Sequence, residues 1–417
     1  MSLGRRSDAM PLFVFILKLL GLAASTQAIC LMYLTGQHQV VPEKRMVQDV
    51  SHVVLAFMQS ETFNVINQDN WPLFTNVEAT RQAFAEGTKI MIAIGGWGDT
   101  TGFEKAATNE KTRAIFAANV KAMIAATGAD GVDIDWEYPG GNGEDYKKLP
   151  NTEKAWEIDA YVGLLATLRE ELGSHILISA AVPGLVRDMI AFTEANVPRI
   201  ALYVDFLNIM TYDLMNRRDN ITKHHAGITA SLQAIDAYLS RGLPSRKANL
   251  GFAFYIKWFK TDPAAQCQMS PIGCHTALLE DPRTGADLGR AGAFSWHDEV
   301  PADLSTSFQR AMKDGKYDNE GGGRYFWDSE KNIFWSWETP ESISAKYDEV
   351  AVKKDLGGTF AWGLGEDAPH WAHFRALASK VEKSYGRHEE PPVEKIWTSA
   401  LPEKDSRSHK MPDKDEL

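Results

Sequence analysis

Eight short apolar stretches, with helical patterns between several of them, constrain what this chain can fold into more than any other feature. They fall at 30–35, 52–58, 89–95, 131–137, 176–182, 206–212, 250–255 and 358–363. Each is aliphatic or β-branched, and most end near Gly, Pro or Asp, which marks strands rather than helices. Helical periodicity occupies 112–127 and 157–172. Eight strands alternating with helices imply a parallel sheet, and the pattern is that of a closed (β/α)8 TIM barrel. A doubly wound open sheet shares the rhythm, but no Gly-x-Gly-x-x-Gly follows the first strand. The interval 260–340 is too long for one helix and holds aromatics, turns, Cys267 and Cys274. It reads as a small α+β insertion between the seventh and eighth strands, leaving 29–259 and 341–386 for the barrel.

The fourth stretch, Gly131-Val132-Asp133-Ile134-Asp135-Trp136-Glu137, puts three acids at alternate positions. Successive side chains of a strand point to opposite faces, so Asp133, Asp135 and Glu137 share one face and Val132, Ile134 and Trp136 the other. Like charges so close cannot all ionise cheaply. One acid therefore stays protonated near neutral pH beside a charged neighbour, the pairing that general acid catalysis needs. A solvated edge strand would also alternate, but the residues between the acids are core types. Three oxygens on one face could hold a hard cation, although no His or further carboxylate cluster obviously completes the shell.

Of the 417 residues, 44% are hydrophobic and 24% charged, an ordinary globular balance. The net charge of −11 argues against nucleic acid or an anionic membrane surface as partner, whereas a neutral glycan imposes no charge requirement. Cys30 lies in an apolar run and is expected to be a buried free thiol. Cys267 and Cys274 flank a turn-like segment and either close a short disulfide loop or stay unpaired. Arg5 and Arg6 precede an apolar run that ends near Ala28, the pattern of a secretory signal peptide over 1–28 and too short for stable membrane insertion. The last four residues, Lys414-Asp415-Glu416-Leu417, form a retrieval signal for the endoplasmic-reticulum lumen, with secretion as the alternative. The polar segment 387–417 reads as a flexible tail carrying it. Asn220-Ile221-Thr222 is the one N-glycosylation sequon.

Asp130 to Pro139 resembles the DxxDxDxE signature of family 18 glycoside hydrolases, the chitinase family, in its DGxDxDWEYP form. The resemblance implies that Glu137 is the general acid/base, that Asp135 orients and stabilises the substrate N-acetyl group, and that Asp133 is an inner carboxylate trading a proton with Asp135. Ala93-Ile94-Gly95-Gly96-Trp97 is similar to the family's SxGG element, with Ala93 where the family has serine. Met210-Thr211-Tyr212-Asp213 matches its MxYD element. There the resemblance gives Tyr212 a hydrogen bond to the acetamido oxygen and places Met210 and Asp213 in the same subsite.

The seventh strand is expected to contribute Tyr255 and the eighth Trp362, and Tyr33, Phe57, Gly96, Trp97 and Tyr138 complete the expected substrate-binding set. Trp97 and Trp362 are the expected sugar-stacking rings, Trp136 a packing ring, and His224-His225 a hydrogen-bonded loop pair rather than a metal site. Residues 292–296 and 334–338 resemble the family's insertion. The implied reaction is hydrolysis of β-1,4 linkages in chitin or N-acetylglucosamine oligomers, endo-type and retaining, assisted by the substrate's own acetamido group, by a monomer with no metal or organic cofactor. Two other readings stay open: cleavage of the N-glycan chitobiose core, and a weakly active chitin-binding lectin of the same fold.

Overall fold

The structure, a computed structural model, describes residues 28–384. The expected signal peptide, all but Ala28, and the tail with its terminal tetrapeptide lie outside the described residues. Eight parallel strands close a barrel: β1 (Ile29–Thr35), β2 (His52–Met58), β3 (Lys89–Gly95), β4 (Gly131–Asp135), β5 (Leu177–Pro183), β6 (Phe206–Met210), β7 (Ala248–Ala253) and β13 (Gly358–Trp362). Five more strands between β7 and β13 form a separate antiparallel sheet.

The period of two is visible in the burial. Leu31, Tyr33, Val54, Ala56, Met91 and Ala93 point into the barrel, while their neighbours Cys30, Met32, Val53, Leu55, Ile90 and Ile92 pack outward against the helices. Burial pushes the Cys30 thiol up to about 12, so it is inert as a nucleophile. The helix Glu110–Thr127 starts at Asn109, whose side chain and that of Thr112 cap reciprocally. It ends at Gly128 in the left-handed region, φ 73°. It and the helix Glu157–Leu172 bury Phe116, Val120, Met123, Tyr161, Leu164 and Leu168 against the barrel's outer face.

The second sheet runs β10 (Lys316–Asp318), β11 (Gly323–Asp328), β12 (Ile333–Trp337), β8 (Tyr255–Lys260) and β9 (Ala291–Ser295) in spatial order. The helix Ala302–Asp314 covers one face, with Leu304 and Ala311 against Ile256, Trp335 and Trp337. The other face packs Phe259, Leu279 and Phe334 on Met215, from the loop after β6. This sheet begins at Tyr255, before the expected boundary at 260. Tyr255 therefore opens β8 instead of ending the seventh barrel strand. The run from 248 to 260 carries no Gly or Pro after Gly251, so the sequence hides the change of sheet at Phe254. Cys267 and Cys274 are disulfide-bonded, with Cα atoms 5.3 Å apart. Thr222 donates to the carbonyl of Pro271 inside the loop so closed, and Asn220 is exposed. No helix among the described residues is long and apolar enough to cross a membrane.

Candidate active site

β3 and β4 meet more closely than side chains would allow. Gly95 has φ 109°, and a Cβ there would stand 2.2 Å from the carbonyl oxygen of Asp135. Gly96, φ 94°, would collide with the Phe57 ring and instead donates its N–H to that same Asp135 oxygen at 2.9 Å. The two glycines thus seat the end of β4, where the acids emerge. Asp133 and Asp135 point into the barrel with Glu137 just beyond the strand end, and all three are buried. Trp136 faces the other way, stacked on Phe103 at 5.4 Å and edge-on to Tyr161.

The three acids form a column from floor to cleft. Asp133, at 0% exposure, accepts from the Tyr33 hydroxyl at 2.7 Å, from Ser179 Oγ at 2.5 Å and from Asn208 Nδ2 at 3.4 Å. Burial raises its carboxyl, and those three donors pull it part of the way back. Asp135 sits above it with Oδ1 unpartnered. Burial first, then the charges of Glu137 and Asp133, push Asp135 well above the usual carboxylate range. Glu137 is raised to about 7 by burial, with Asp213 and Asp188 adding to the rise and a hydrogen bond to Tyr138 opposing it. These acids titrate together, so one proton is readily shared within the column near neutrality.

Tyr212 stands across from them, edge-on to Tyr255 and Phe360. Burial and the charges of Asp135 and Glu137 keep its phenol protonated and thus a donor. Asp213 follows in the left-handed region, φ 52°. It accepts from Tyr255 at 2.7 Å and pairs with Lys257 Nζ at 2.9 Å. Its side chain is half exposed to the cleft, and Lys257, His225 and Tyr255 outweigh what desolvation it suffers and hold it well below the usual range, so it is a fixed anion. Trp362, at the end of β13, stacks on Phe57 at 5.4 Å and leans on Tyr33.

These residues open on one cleft of about 820 Å³. Tyr33, Phe57, Trp97, Asp135, Glu137, Tyr138, Met210, Tyr212, Asp213, Tyr255 and Trp362 all line it. Asp133 lies beneath its floor, and Gly96 acts from behind Phe57. Trp97 is 49% exposed on one bank. His224 and His225 diverge: one ring bonds Asp318 at 3.0 Å, and the other stands 3.8 Å from Asp213. Among the described residues no group of three or more His, Cys, Asp or Glu could hold a metal ion.

Sequence reasoning missed Ser179, Asn208 and Lys257. Ser179 matters most, because it gives Asp133 a hydroxyl where Ala93 on the adjacent strand offers none. Both are register partners of Asp133, on β5 and β3 respectively. The available signal was a lone serine inside the apolar run 177–182.

The family model for Glycosyl hydrolases family 18 matches residues 29–367. Chitinase 1 of Aphanocladium album is 29% identical over 290 residues, covering 66% of this chain and 60% of the relative. Endochitinase 1 of Metarhizium anisopliae is 26% identical over 349 residues, 76% of this chain and 75% of the relative. The chain thus spans about three fifths of the length of the first curated relatives it matches. A crystal structure of a chitinase from Rhizomucor miehei superposes with a TM-score of 0.66 at 21% identity, over 84% of this chain and 99% of the other. A Cycas revoluta chitinase mutant in complex with (GlcNAc)4 gives 0.62 at 21% identity, over 86% and 100%.

Proposed function

This chain belongs to glycosyl hydrolase family 18, and on that premise we propose that it is a chitinase, hydrolysing internal β-1,4 linkages between N-acetylglucosamine units of chitin or its oligomers. One observation carries the reading: Glu137, raised to about 7, stands at the cleft surface directly above two buried carboxyls and opposite a neutral tyrosine. A carboxyl in that state donates a proton to a leaving oxygen and recovers it from water.

Asp133 is beneath the floor, and Asp135 lines the cleft but is held protonated by burial and its acidic neighbours, so neither is an ionised nucleophile. The acetamido carbonyl of the substrate supplies that attack, in the substrate-assisted variant of retaining hydrolysis. Asp135, with its unpartnered Oδ1, accepts from the acetamido N–H as positive charge develops on the cyclising amide. Tyr212 donates to the acetamido oxygen and aligns it with the anomeric carbon. Asp133, positioned by Tyr33, Ser179 and Asn208, takes up the proton that Asp135 carries at rest, leaving Asp135 charged as the amide becomes positive. Trp362 offers its face to the apolar side of the sugar. The anomeric configuration is retained.

The test is incubation of the purified protein with N-acetylglucosamine oligomers, with fully deacetylated oligomers and with a high-mannose glycopeptide. Cleavage of the first alone is expected. Efficient cleavage of the deacetylated oligomer removes the acetamido mechanism, and cleavage of the glycopeptide alone moves the substrate to the chitobiose core. The two terminal sequences support residence in the endoplasmic-reticulum lumen, which requires that deleting 414–417 raise the secreted fraction. Equal secretion with and without them rejects that address.

A further inference from the structure

The bank of the cleft that carries Trp97 is joined across three separate loops. Tyr146, in the loop after Glu137, donates its hydroxyl to Glu280 of the insertion. Beside it, Lys147 packs on Gly285, where an added Cβ would stand 3.1 Å from the lysine Cγ. Arg218, from the loop after β6, lies 3.9 Å from the Tyr146 ring and 5.6 Å from the Trp97 ring. Its neighbour Arg217 pairs with Asp287 of the insertion at 2.8 Å. All of these except Lys147 line the cleft.

The join is anchored from below. Arg218 donates to the carbonyls of Asn142 at 2.8 Å and Gly143 at 3.1 Å. Asn142 and Asn151 bond each other twice. Asp145, next to Tyr146, pairs with Lys154 at 2.8 Å, and that lysine is 2% exposed and also holds Glu104. A loop fixed by a buried cation and by backbone acceptors presents Tyr146 in one position. Arg218 also pairs with the buried Asp188 at 3.4 Å, on the way to the acid column, whereas Tyr146 and Glu280 meet each other and Arg218 at the bank itself.

We infer that Tyr146, Arg218 and Glu280 form a fixed wall on the Trp97 side that limits how many sugar units lie beyond the cleaved bond. The chain is then cut at an internal bond a set short distance from one end, and soluble oligosaccharides are preferred to polymer. The inference rests on the chitinase reading and refines its mode of cleavage. It makes Tyr146 and Glu280 specificity-determining residues, which touch the end of a bound chain and not the reacting atoms.

The experiment compares wild type with Tyr146→Phe, Tyr146→Ala and Glu280→Ala, each with its melting temperature recorded. The readouts are product lengths from the N-acetylglucosamine hexamer and the ratio of rates on colloidal chitin and on the hexamer. Wild type gives one dominant pair of product lengths. Loss of the Tyr146–Glu280 bond broadens the product set and raises the polymer-to-hexamer ratio about three- to ten-fold, the span of one hydrogen bond. Tyr146→Phe keeps the ring over Arg218 and carries the test if the alanine variant fails to fold. Product lengths and rate ratios unchanged in every folded variant overturn the wall and leave the chitinase reading standing. A wild type that cuts every bond of the hexamer evenly does the same. Failure to cut any N-acetylglucosamine oligomer overturns the chitinase reading, and the wall with it.

Discussion

Two buried acid sites a few strands apart solve the same electrostatic problem in opposite ways. Behind β7, Glu338 is 3% exposed and Lys346 1% exposed. They pair at 3.4 Å, Glu338 accepts the Ala253 N–H at 2.6 Å, and Lys346 donates to the carbonyl of Thr211 at 2.9 Å. Burial pushes the first group up and the second down, and their mutual attraction opposes both. On β4, by contrast, Asp133, Asp135 and Glu137 have only hydroxyls, an amide and one another among their described partners. A buried carboxyl kept for structure is given a cation, whereas this column is left without one and holds a proton instead. The lesson is that the missing cation, rather than the burial, marks the functional site.

The widest separation between the two sites comes from replacing one titratable group in each. Lys346→Met strands Glu338 and is expected to lower stability by about 3–5 kcal/mol in chemical denaturation. Asp135→Asn replaces a carboxyl that burial and its acidic neighbours already hold protonated, so stability is little changed while turnover falls on the order of 10²–10³-fold. Equal stability losses in the two variants would erase the comparison.

The proton held by the column gives the next effect. Glu137 ionises at about 7 in the folded chain against an ordinary 4.5, so the native state binds more protons than the unfolded state between those values. Its contribution to stability is complete below about 4.5 and declines as pH rises through about 7. Activity is expected to lose its acid over the same upper limb, with kcat/KM falling above about pH 7. Glu157 and Glu366 are also raised to about 7, so the stability slope is shared among the three while the rate limb belongs to Glu137. A flat kcat/KM from pH 6 to 9 would break the assignment.

The smallest effect sharpens the column's own wiring. Ser179→Ala removes one of the donors that pull Asp133 back toward ionisation. It is expected to lower kcat about three- to ten-fold with KM unchanged, the worth of one hydrogen bond. A change confined to KM would instead place Ser179 in substrate contact.

The acid row was legible because its alternation fixes one face whatever the fold, and the barrel because eight apolar strands alternate with helices. The helix at 157–172 was read to its observed ends, Glu157–Leu172. What the sequence withheld was register and long-range contact. Ser179 becomes a partner of Asp133 only when β5 pairs beside β4, and a lone serine in an apolar run does not by itself name that partner. Lys346 resembles an ordinary surface lysine of an amphipathic helix until the fold places Glu338 and Thr211 around it. Tyr146 and Glu280 lie 134 residues apart and belong to loops with no periodicity. Tyr255 was assigned to the wrong strand because β7 runs into β8 with no turn residue between them.

The central claim is that Glu137 is the proton donor, and Glu137→Gln tests it most directly. The amide nearly matches the carboxyl in shape but carries no transferable proton. Measured on the N-acetylglucosamine pentamer, with affinity followed by calorimetry, the variant is expected to bind within a few-fold of wild type and to turn over about 10²–10⁴-fold more slowly. Retention of more than about a tenth of the wild-type rate, far inside the loss expected for a missing general acid, would contradict the account.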